Sequence, residues 1–154
     1  WLYQNTAHVP QEPYTLPIGK GIVRRSGNGL TVVATSLAAV EVLAACEGED
    51  LDVELIDPRT VKPLDEEIIL ESVKKTGRLL AVDYDFPFAG FASEVCAMVA
   101  EKGFRYLKDP VSRITFPESS MPASGILERA FHPSAAKIAV RIKEILSASV
   151  PTGT

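Results

Sequence analysis

The alternation of two kinds of apolar segment limits the possible folds of this chain more than any other feature of its sequence. Continuous β-branched runs such as "LTVVAT" (30–35) and "LDVELI" (51–56) are typical of strands that are covered on both faces. Other stretches carry apolar residues at the spacing of one helical face. Strands that alternate with helices of about ten to fourteen residues form crossovers between parallel strands. The sequence therefore predicts a three-layer α/β/α domain with a largely parallel sheet.

Turn residues and apolar periodicity place the individual elements. The glycines of "SGNG" (26–29) are expected to permit a turn with positive φ. The last helix begins after Pro133, with Ser134 as its cap. We expect strands at 20–25, 30–35, 51–56, 78–84 and 111–116, and helices at 37–47, between Asp65 and Gly77, within 85–103, within 119–133 and after Ser134.

The stretch "ELIDPRTVKPLDEE" (54–67) joins a predicted strand to a predicted helix. Pro58 and Pro63 each lack a backbone N–H and restrict the preceding residue, so the helix begins only after them. We expect the carboxylate of Asp65 to accept N–H groups of the first helical turn. Gly77 is expected to end the helix in the left-handed conformation. Local helix chemistry thus explains most of this stretch.

Polar residues follow several of the predicted strands. In an open parallel sheet, ligands bind beyond the carboxyl ends of the strands. Asp83 and Asp85 form a carboxylate pair that could carry out acid–base chemistry or hold a metal, although two loop acids are more often solvated or paired with an arginine. The candidate segments are Asp57-Arg59-Thr60, Asp83-Tyr84-Asp85 and Glu118-Ser119-Ser120.

The known catalytic and phosphate-binding motifs are absent from the sequence. There is no GxGxxG or GxxxxGK[ST] phosphate loop and no GxSxG nucleophile elbow. Of the two histidines, His8 lies in the proline-rich start, and His132 is interpreted as a surface or packing residue. We therefore predict no catalytic, cofactor-binding or metal-binding residue in this chain, and the roles of Asp83, Asp85 and His132 stay undetermined.

Charge and cysteine usage exclude further classes of function. The net charge of -4 and the lack of clustered Lys and Arg argue against nucleic-acid binding. The longest apolar stretch (30–46) has 17 residues and contains polar side chains, so we predict no membrane span. Cys46 and Cys96 form no CxxC motif and are interpreted as buried free thiols. Reduced thiols indicate the cytoplasm, or the mitochondrial matrix in a eukaryote.

The chain divides into three parts. Residues 1–19 contain three prolines and are predicted to be an extended linker, 20–147 the folded domain, and 148–154 a flexible tail. The opening residues lack the basic and apolar regions of a signal peptide. A first residue Trp1 instead of Met favours a fragment or a processed product.

Four segments carry a resemblance to a known family: "VPQEPYTLPIGKG", "VELIDPRTVKPLDEEIILESVKKTGRLLAVD", "GFASEVCAMVAEKGFRYLKDPVSRITFPESSMP" and "LERAFHPSAAKIAVRIKEIL". In this order they resemble the C-terminal domain of transketolase-like, thiamine-diphosphate-dependent enzymes. They are most similar to the β subunit of the 2-oxo acid dehydrogenase decarboxylase component, of the pyruvate or branched-chain type. The resemblance implies a five-stranded mixed sheet whose first strand is antiparallel to the others.

The resemblance also implies that catalysis takes place outside this chain. In the family, a GDG motif and adjacent asparagines hold thiamine diphosphate and Mg²⁺, but this chain has no GDG, and its only asparagines are Asn5 and Asn28. The activating glutamate belongs to a separate pyrimidine-binding domain. The implied role is assembly with an α subunit and a second β subunit of the parent enzyme, together with docking to an acyltransferase core. The isolated domain is expected to be inactive, and the sequence does not identify the 2-oxo acid.

Five residues are interface candidates under this resemblance. Asp57, Arg59 and Thr60 match the D-x-R-T stretch of the family and are expected to order a strand end and an interface. Lys108 and Asp109 are candidates for docking to the core. Lys108 occupies a position where several relatives have an acid, so the sequence departs from the family there.

Three alternatives remain open from the sequence. The chain could be a free-standing regulatory or interaction module derived from such a domain. It could be the C-terminal domain of a single-chain transketolase-like enzyme. It could also be a small α/β enzyme or nucleotide binder that uses the Asp57 and Asp83 loops, although the missing motifs count against this.

Overall fold

The computed structural model describes residues 2, 5, 6 and 8–148. Part of the predicted linker (residues 1, 3, 4 and 7) and most of the predicted tail (149–154) lie outside the described residues.

The described residues form five strands and five α-helices, in the predicted order. The strands are shorter than predicted by one to three residues each. A short 3-10 helix, Phe104–Tyr106, precedes the last strand. The strands are β1 (Ile22–Arg25), β2 (Leu30–Ala34), β3 (Val53–Asp57), β4 (Leu79–Val82) and β5 (Ser112–Ile114). The helices are α1 (Ser36–Cys46), α2 (Glu66–Thr76), α3 (Phe91–Lys102), α4 (Gly125–Phe131) and α5 (Ala135–Ser147).

The strands form one mixed sheet in the order β1-β3-β2-β4-β5. β2 lies parallel to both β3 and β4, and β5 lies parallel to β4. β1 is antiparallel to β3, with Ile22 opposite Asp57. This arrangement confirms the mixed sheet with an antiparallel first strand that the resemblance implies.

Helices cover both faces of the sheet. Val32 and Leu55 belong to a core cluster that includes buried residues of α1 and α5. Val33 and Ile56, the next residues along the same strands, belong to a second cluster with α2 and α3. Because successive side chains of a strand point to opposite faces, a strand covered on both faces has to be apolar throughout. The continuous apolar runs thus produce the predicted three-layer architecture.

The two ends of α2 agree with prediction to different degrees. Gly77 ends the helix in the left-handed conformation (φ 76°), and its N–H donates to the carbonyl of Val73, as predicted. Asp65 occupies the N-cap position, but its carboxylate makes no hydrogen bond to the first turn. Its Oδ2 instead accepts from the backbone N–H of Gly21, at 2.9 Å. The predicted cap was wrong because a partner 44 residues away in sequence takes the carboxylate.

The reason predicted for the glycines of the 26–29 turn was also wrong. Among the described residues, the glycines with positive φ are Gly19, Gly48 and Gly77, so the turn contains none. Gly27 is instead required by close packing, because a Cβ there would lie 2.3 Å from the carbonyl carbon of Val53. Tertiary proximity to β3, and not turn conformation, explains this glycine.

The 17-residue apolar stretch divides into β2 and α1. Among residues 8–148, no helix has the length and apolar character needed to cross a membrane. Both thiols are free, as predicted: Cys46 is buried in α1, whereas Cys96 of α3 is only half-buried. Burial raises the pKa of both thiols.

Candidate interface at the carboxyl edge of the sheet

The candidate site lies at one end of the sheet, which we call the carboxyl edge. It consists of the connections that follow β2, β3, β4 and β5, together with the residues that lead into β1. The antiparallel β1 contributes its N-terminal end here, because Ile22 pairs with the last residue of β3. We call the opposite end of the sheet the amino edge. In open parallel sheets, ligands bind beyond the carboxyl ends of the strands, which lie at this edge.

Asp57, the last residue of β3, holds the loop that follows it. Its side chain is buried, and Oδ2 accepts hydrogen bonds from Nε and Nη2 of Arg24, at 3.2 and 3.1 Å. Oδ1 accepts from the backbone N–H of Arg59, at 2.9 Å. One carboxylate therefore joins β1, β3 and the loop. Its contacts in the described structure stabilise the fold.

Thr60 connects the same loop to the segment before β1. Its hydroxyl donates to the carbonyl of Pro63, at 2.8 Å, and accepts from the backbone N–H of Gly19, at 3.1 Å. The neighbouring Gly21 N–H is held by Asp65. The end of the lead-in is thus tied to the carboxyl edge by the hydroxyl of Thr60 and the carboxylate of Asp65.

Backbone strain is concentrated at this edge. In residues 8–148, the residues other than glycine with positive φ are Ser36 (54°), Arg59 (60°) and Ala89 (58°). They follow β2, β3 and β4, respectively. Left-handed conformations cost an L-residue about 1–2 kcal/mol and often occur where a loop is shaped for binding. Three neighbouring connections therefore share a feature that is typical of functional surfaces.

The loop between β4 and α3 presents an aromatic side chain to solvent. Phe88 is 84% exposed. The carbonyl of the preceding Pro87 accepts hydrogen bonds from the Ser93 hydroxyl, at 2.6 Å, and from Nη1 of Arg113, at 2.7 Å. An exposed aromatic on a loop held in this way resembles the rigid anchors of protein interfaces. Sequence analysis missed it, although two phenylalanines beside Pro87 in a predicted loop were a usable signal.

Asp83 and Asp85 occupy different environments. Asp83 is only 7% exposed, and its Oδ2 accepts from the N–H of Ala92, at 3.1 Å, in the first turn of α3. Burial raises the pKa of Asp83, and the nearby charge of Asp85 adds to this effect. Asp85 is exposed and accepts from the N–H of Phe86. The expectation that both acids are solvated or paired with arginine was therefore wrong for Asp83, which holds a helix terminus.

Asp83→Asn is expected to make stability less dependent on pH. In the unfolded chain the pKa of Asp is about 3.9. Because burial raises the pKa of Asp83, the folded state retains its proton to higher pH. The stability of the unaltered chain should therefore fall as the pH rises from about 4 through the folded pKa, and then level off. Asn does not titrate, and its amide oxygen can still accept from Ala92.

Urea denaturation of both proteins between about pH 3.5 and pH 7.5 measures this effect. The advantage of Asp83→Asn over the unaltered chain should grow across the interval. A difference that stays constant with pH would contradict the assignment of Asp83 as a buried, titrating carboxyl.

His132 is a packing residue, as interpreted from the sequence. Its ring lies 5.1 Å from the ring of Tyr84 and 5.0 Å from that of Phe116. The hydroxyl of Tyr84 donates to the carbonyl of Pro133, at 2.7 Å. Burial raises the pKa of this phenol. These contacts attach the connection between β5 and α5 to the residues that follow β4.

The side chains of the candidate segment 118–120 lie in the same connection and are exposed.

Exposed apolar side chains are concentrated at the carboxyl edge. Among the described residues, the connections at the amino edge expose one large apolar side chain, Phe104 (74% exposed). Where such side chains form a contiguous patch, the patch usually marks a site of interaction with another protein or ligand. The exposed residues at the carboxyl edge are Tyr14, Leu16, Ile18, Val61, Phe86, Phe88, Met121, Ile126 and Leu127.

Two adjoining clefts open on this surface. The wider cleft has a volume of about 790 Å³ and lies between the ends of β2 and β4, residues 61–66 and the start of α3. The narrower cleft, of about 640 Å³, is lined by Arg24, Asp57 and Arg59, together with part of the lead-in. Thr35 and Val61 line both clefts and thus form the wall between them. In the part of the chain that the structure describes, no group of three or more His, Cys, Asp and Glu residues could hold a metal ion.

Lys108 and Asp109 lie at the amino edge, so the structure does not bring them together with the other three interface candidates. The N–H of Lys108 donates to the carbonyl of Gly77, at 2.7 Å. The carboxylate of Asp109 accepts from Nε of Arg78. Both residues therefore support the turn that leads into β4.

Comparisons with known proteins agree with the fold. The sequence pattern of the family described as "Transketolase, C-terminal domain" matches residues 19–138. Among solved structures, "Split gene transketolase, inactive beta4 tetramer" is similar with a TM-score of 0.74 and 22% sequence identity. The match covers 87% of this chain and 44% of that one. At this identity the likeness shows the fold alone.

Curated relatives match nearly the whole chain. The "Acetoin:2,6-dichlorophenolindophenol oxidoreductase subunit beta" of Bacillus subtilis is 37% identical over 94% of this chain and 43% of its own length. The "Pyruvate dehydrogenase E1 component subunit beta" of Rhizobium meliloti is 34% identical over 94% of this chain and 32% of its own length. The mitochondrial protein of that name from Pisum sativum is 38% identical over 95% of this chain and 42% of its own length. This chain thus spans less than half the length of each relative. It belongs to the transketolase C-terminal domain family.

Proposed function

We propose that this chain is the C-terminal assembly domain of a thiamine-diphosphate-dependent 2-oxo acid dehydrogenase β subunit, and that it packs against other subunits through its carboxyl edge. The observation that carries the proposal is the concentration of exposed apolar side chains at that edge. Three strained connections and the anchored loop of Phe88 support it. The relatives are named as β subunits of pyruvate dehydrogenase and of an acetoin oxidoreductase.

The proposal assigns no chemical step to this chain. Thiamine diphosphate and Mg²⁺ would belong to the parent enzyme, where the cofactor supplies the decarboxylation chemistry. The residues present do not fit such a site: the sequence lacks the GDG motif, and residues 8–148 contain no group of three or more His, Cys, Asp and Glu residues that could hold a metal ion. The polar residues of the carboxyl edge are engaged in holding loops and helix ends. Residues 20–147 would form the packing domain, and residues 1–19 its connection.

The partners that we propose for the carboxyl edge are the α subunit and a second β subunit of the parent decarboxylase. Docking of an acyltransferase core through Lys108 and Asp109 stays a separate prediction, because these residues lie at the other end of the sheet. We place the parent enzyme in the bacterial cytoplasm or the mitochondrial matrix. The bacterial relatives and the mitochondrial relative from Pisum sativum support this placement.

Aspartate substitutions at Val61 and Phe88 test the proposal in the assembled native protein. Val61 is 58% exposed and Phe88 lies on the held loop, so neither substitution removes a core residue. Burying a new charge in a subunit contact is strongly unfavourable. We expect the Val61→Asp, Phe88→Asp double variant to dissociate the assembly, as measured by sedimentation velocity.

Phe104→Asp is the control, since it introduces one such charge at an exposed aromatic of the amino edge. It should leave the assembly intact. Assembly that survives the carboxyl-edge variant but not the control would show that the packing surface lies elsewhere and would refute the proposal. A circular dichroism spectrum of each variant establishes that the domain remains folded.

A further inference from the structure

We propose that Asn28 is a site of spontaneous deamidation, and that Asp52 slows the reaction by holding the backbone of the Asn28-Gly29 pair. The pair lies in the turn between β1 and β2, at the amino edge. The inference is carried by the hydrogen bonds of both residues to Asp52 and by the packing that requires a glycine at position 29. It goes beyond the proposed function and does not depend on how the carboxyl edge packs.

The reaction needs only these two residues and water. The backbone nitrogen of Gly29 loses its proton and attacks Cγ of Asn28. An N–Cγ bond forms, the Cγ–Nδ2 bond breaks, and Nδ2 takes up a proton and leaves as ammonia. Water then opens the cyclic imide at either of its carbonyls and produces aspartate or isoaspartate. The attack is easiest when glycine follows asparagine, because glycine has no Cβ to hinder it and adopts many backbone conformations. The other asparagine of the sequence, Asn5, precedes Thr6 and lacks this advantage.

The surroundings of the pair keep it reactive. Asn28 is exposed, and its side chain makes none of the hydrogen bonds found among the described residues, so the side chain can rotate toward the Gly29 nitrogen. A Cβ at position 29 would lie 2.7 Å from the carbonyl oxygen of Asp52 and 2.9 Å from Cδ2 of Leu146. A larger residue, which would hinder the attack, therefore does not fit at position 29.

Asp52 fixes the backbone of the pair. The N–H of Gly29 donates to the carbonyl of Asp52, at 3.2 Å, and the N–H of Asn28 donates to Oδ1 of Asp52, at 2.7 Å. The attacking nitrogen has to give up its hydrogen bond to Asp52, and its peptide plane has to turn toward Cγ of Asn28. The reaction therefore requires the turn to leave Asp52. Local opening of this kind has its own free energy, which lies between zero and that of global unfolding.

The products fit the turn less well than asparagine does. Aspartate at position 28 adds a carboxylate to a residue that already contacts the carboxylate of Asp52, and like charges at short distance repel each other. Isoaspartate adds a backbone atom between β1 and β2. Because neither product returns to asparagine, altered chains should accumulate with time and should hold the turn less tightly.

Peptide mapping by mass spectrometry tests the inference in the full native protein during incubation at mildly alkaline pH. We expect Asn28 to convert at least about tenfold faster in urea than in buffer, because unfolding frees the Gly29 nitrogen. Asp52→Ala removes the Oδ1 acceptor of the Asn28 N–H. It should raise the rate in the folded protein by about three- to tenfold, as expected for the loss of one hydrogen bond.

Asp50→Ala is the matched control. Asp50, like Asp52, is an exposed aspartate in the connection before β3, but it makes no hydrogen bond in the described structure. The control should leave the rate unchanged, and circular dichroism establishes that both variants are folded. An Asn28 that stays an amide in urea would show that the pair is not a deamidation site. Equal rates in buffer and in urea, or equal rates for Asp52→Ala and Asp50→Ala, would show that Asp52 does not slow the reaction. Each of these results would overturn the inference.

Discussion

Gly27→Ala is expected to lower the free energy of unfolding by about 3 kcal/mol or more. The new Cβ would lie 2.3 Å from the carbonyl carbon of Val53, 2.4 Å from its oxygen and 2.8 Å from the N of Glu54. These are backbone atoms of β3, which pairs on both sides with β1 and β2. Relief of the clash would therefore require a strand inside the sheet to move. A clash with a flexible side chain could be relieved by a change of rotamer alone. Urea denaturation followed by circular dichroism measures the loss.

Gly125→Ala provides the control for this prediction. Gly125 is the first residue of α4, has no left-handed backbone, and has no atom within 4 Å of an added Cβ. We expect Gly125→Ala to change the free energy of unfolding of the protein by no more than about 0.5 kcal/mol, as for an ordinary surface substitution. A loss below about 1 kcal/mol for Gly27→Ala would mean that the turn can move away from β3, and the packing explanation would fail.

Asp57→Ala is expected to lower the free energy of unfolding by about 2–3 kcal/mol. The substitution removes the acceptor of two Arg24 N–H groups and of the Arg59 N–H. It also leaves Arg59 in its left-handed conformation without the hydrogen bond that supports it. The half-exposed position of Arg24 limits the contribution of the ion pair, so most of the loss comes from the buried carboxylate and the loop. Urea denaturation again provides the measurement.

Two further variants separate these contributions. Asp57→Asn retains an oxygen for the Arg59 N–H but loses the charge that faces Arg24, so we expect about half the loss of the alanine variant. Asp50→Ala removes an exposed aspartate that has no hydrogen bond or ion pair in the described structure, and its effect should stay within about 0.5 kcal/mol. If Asp57→Ala lowered the free energy of unfolding no more than Asp50→Ala does, the loop would not depend on the carboxylate of Asp57.

The structure also explains why the local sequence pattern around Asp57 and Thr60, without the family resemblance, indicated no role for them. Arg24 lies 33 residues from Asp57, and Gly19 lies 41 residues from Thr60. No local pattern connects positions so far apart before the antiparallel pairing of β1 with β3 is known. The expectation that this loop orders the end of a strand is consistent with the observed contacts. Its role in an interface stays a prediction.

Features that depend on neighbours in sequence were predicted well. The left-handed Gly77 at the end of α2 and the cap of α5, where the Ser134 hydroxyl accepts from the N–H of Lys137, are both present. The apolar run of β2 is buried over its full length. Hydrogen bonds within one helical turn and the alternation of side chains along a strand act over a few residues, so they can be inferred without the fold.

The sequence by itself therefore determined the α/β/α layers, the order of the elements and most of their ends, because these depend on short-range hydrogen bonding and on apolar periodicity. Only the tertiary structure decided that Asp65 holds Gly21 instead of its own helix, that Gly27 packs against β3, and that Asp83 is buried beneath α3. It also decided which apolar side chains, such as Phe88, stay exposed at the carboxyl edge. The physical reason is the same in each case: contact and exposure depend on which distant segments the sheet brings together, and chain order alone does not contain those distances.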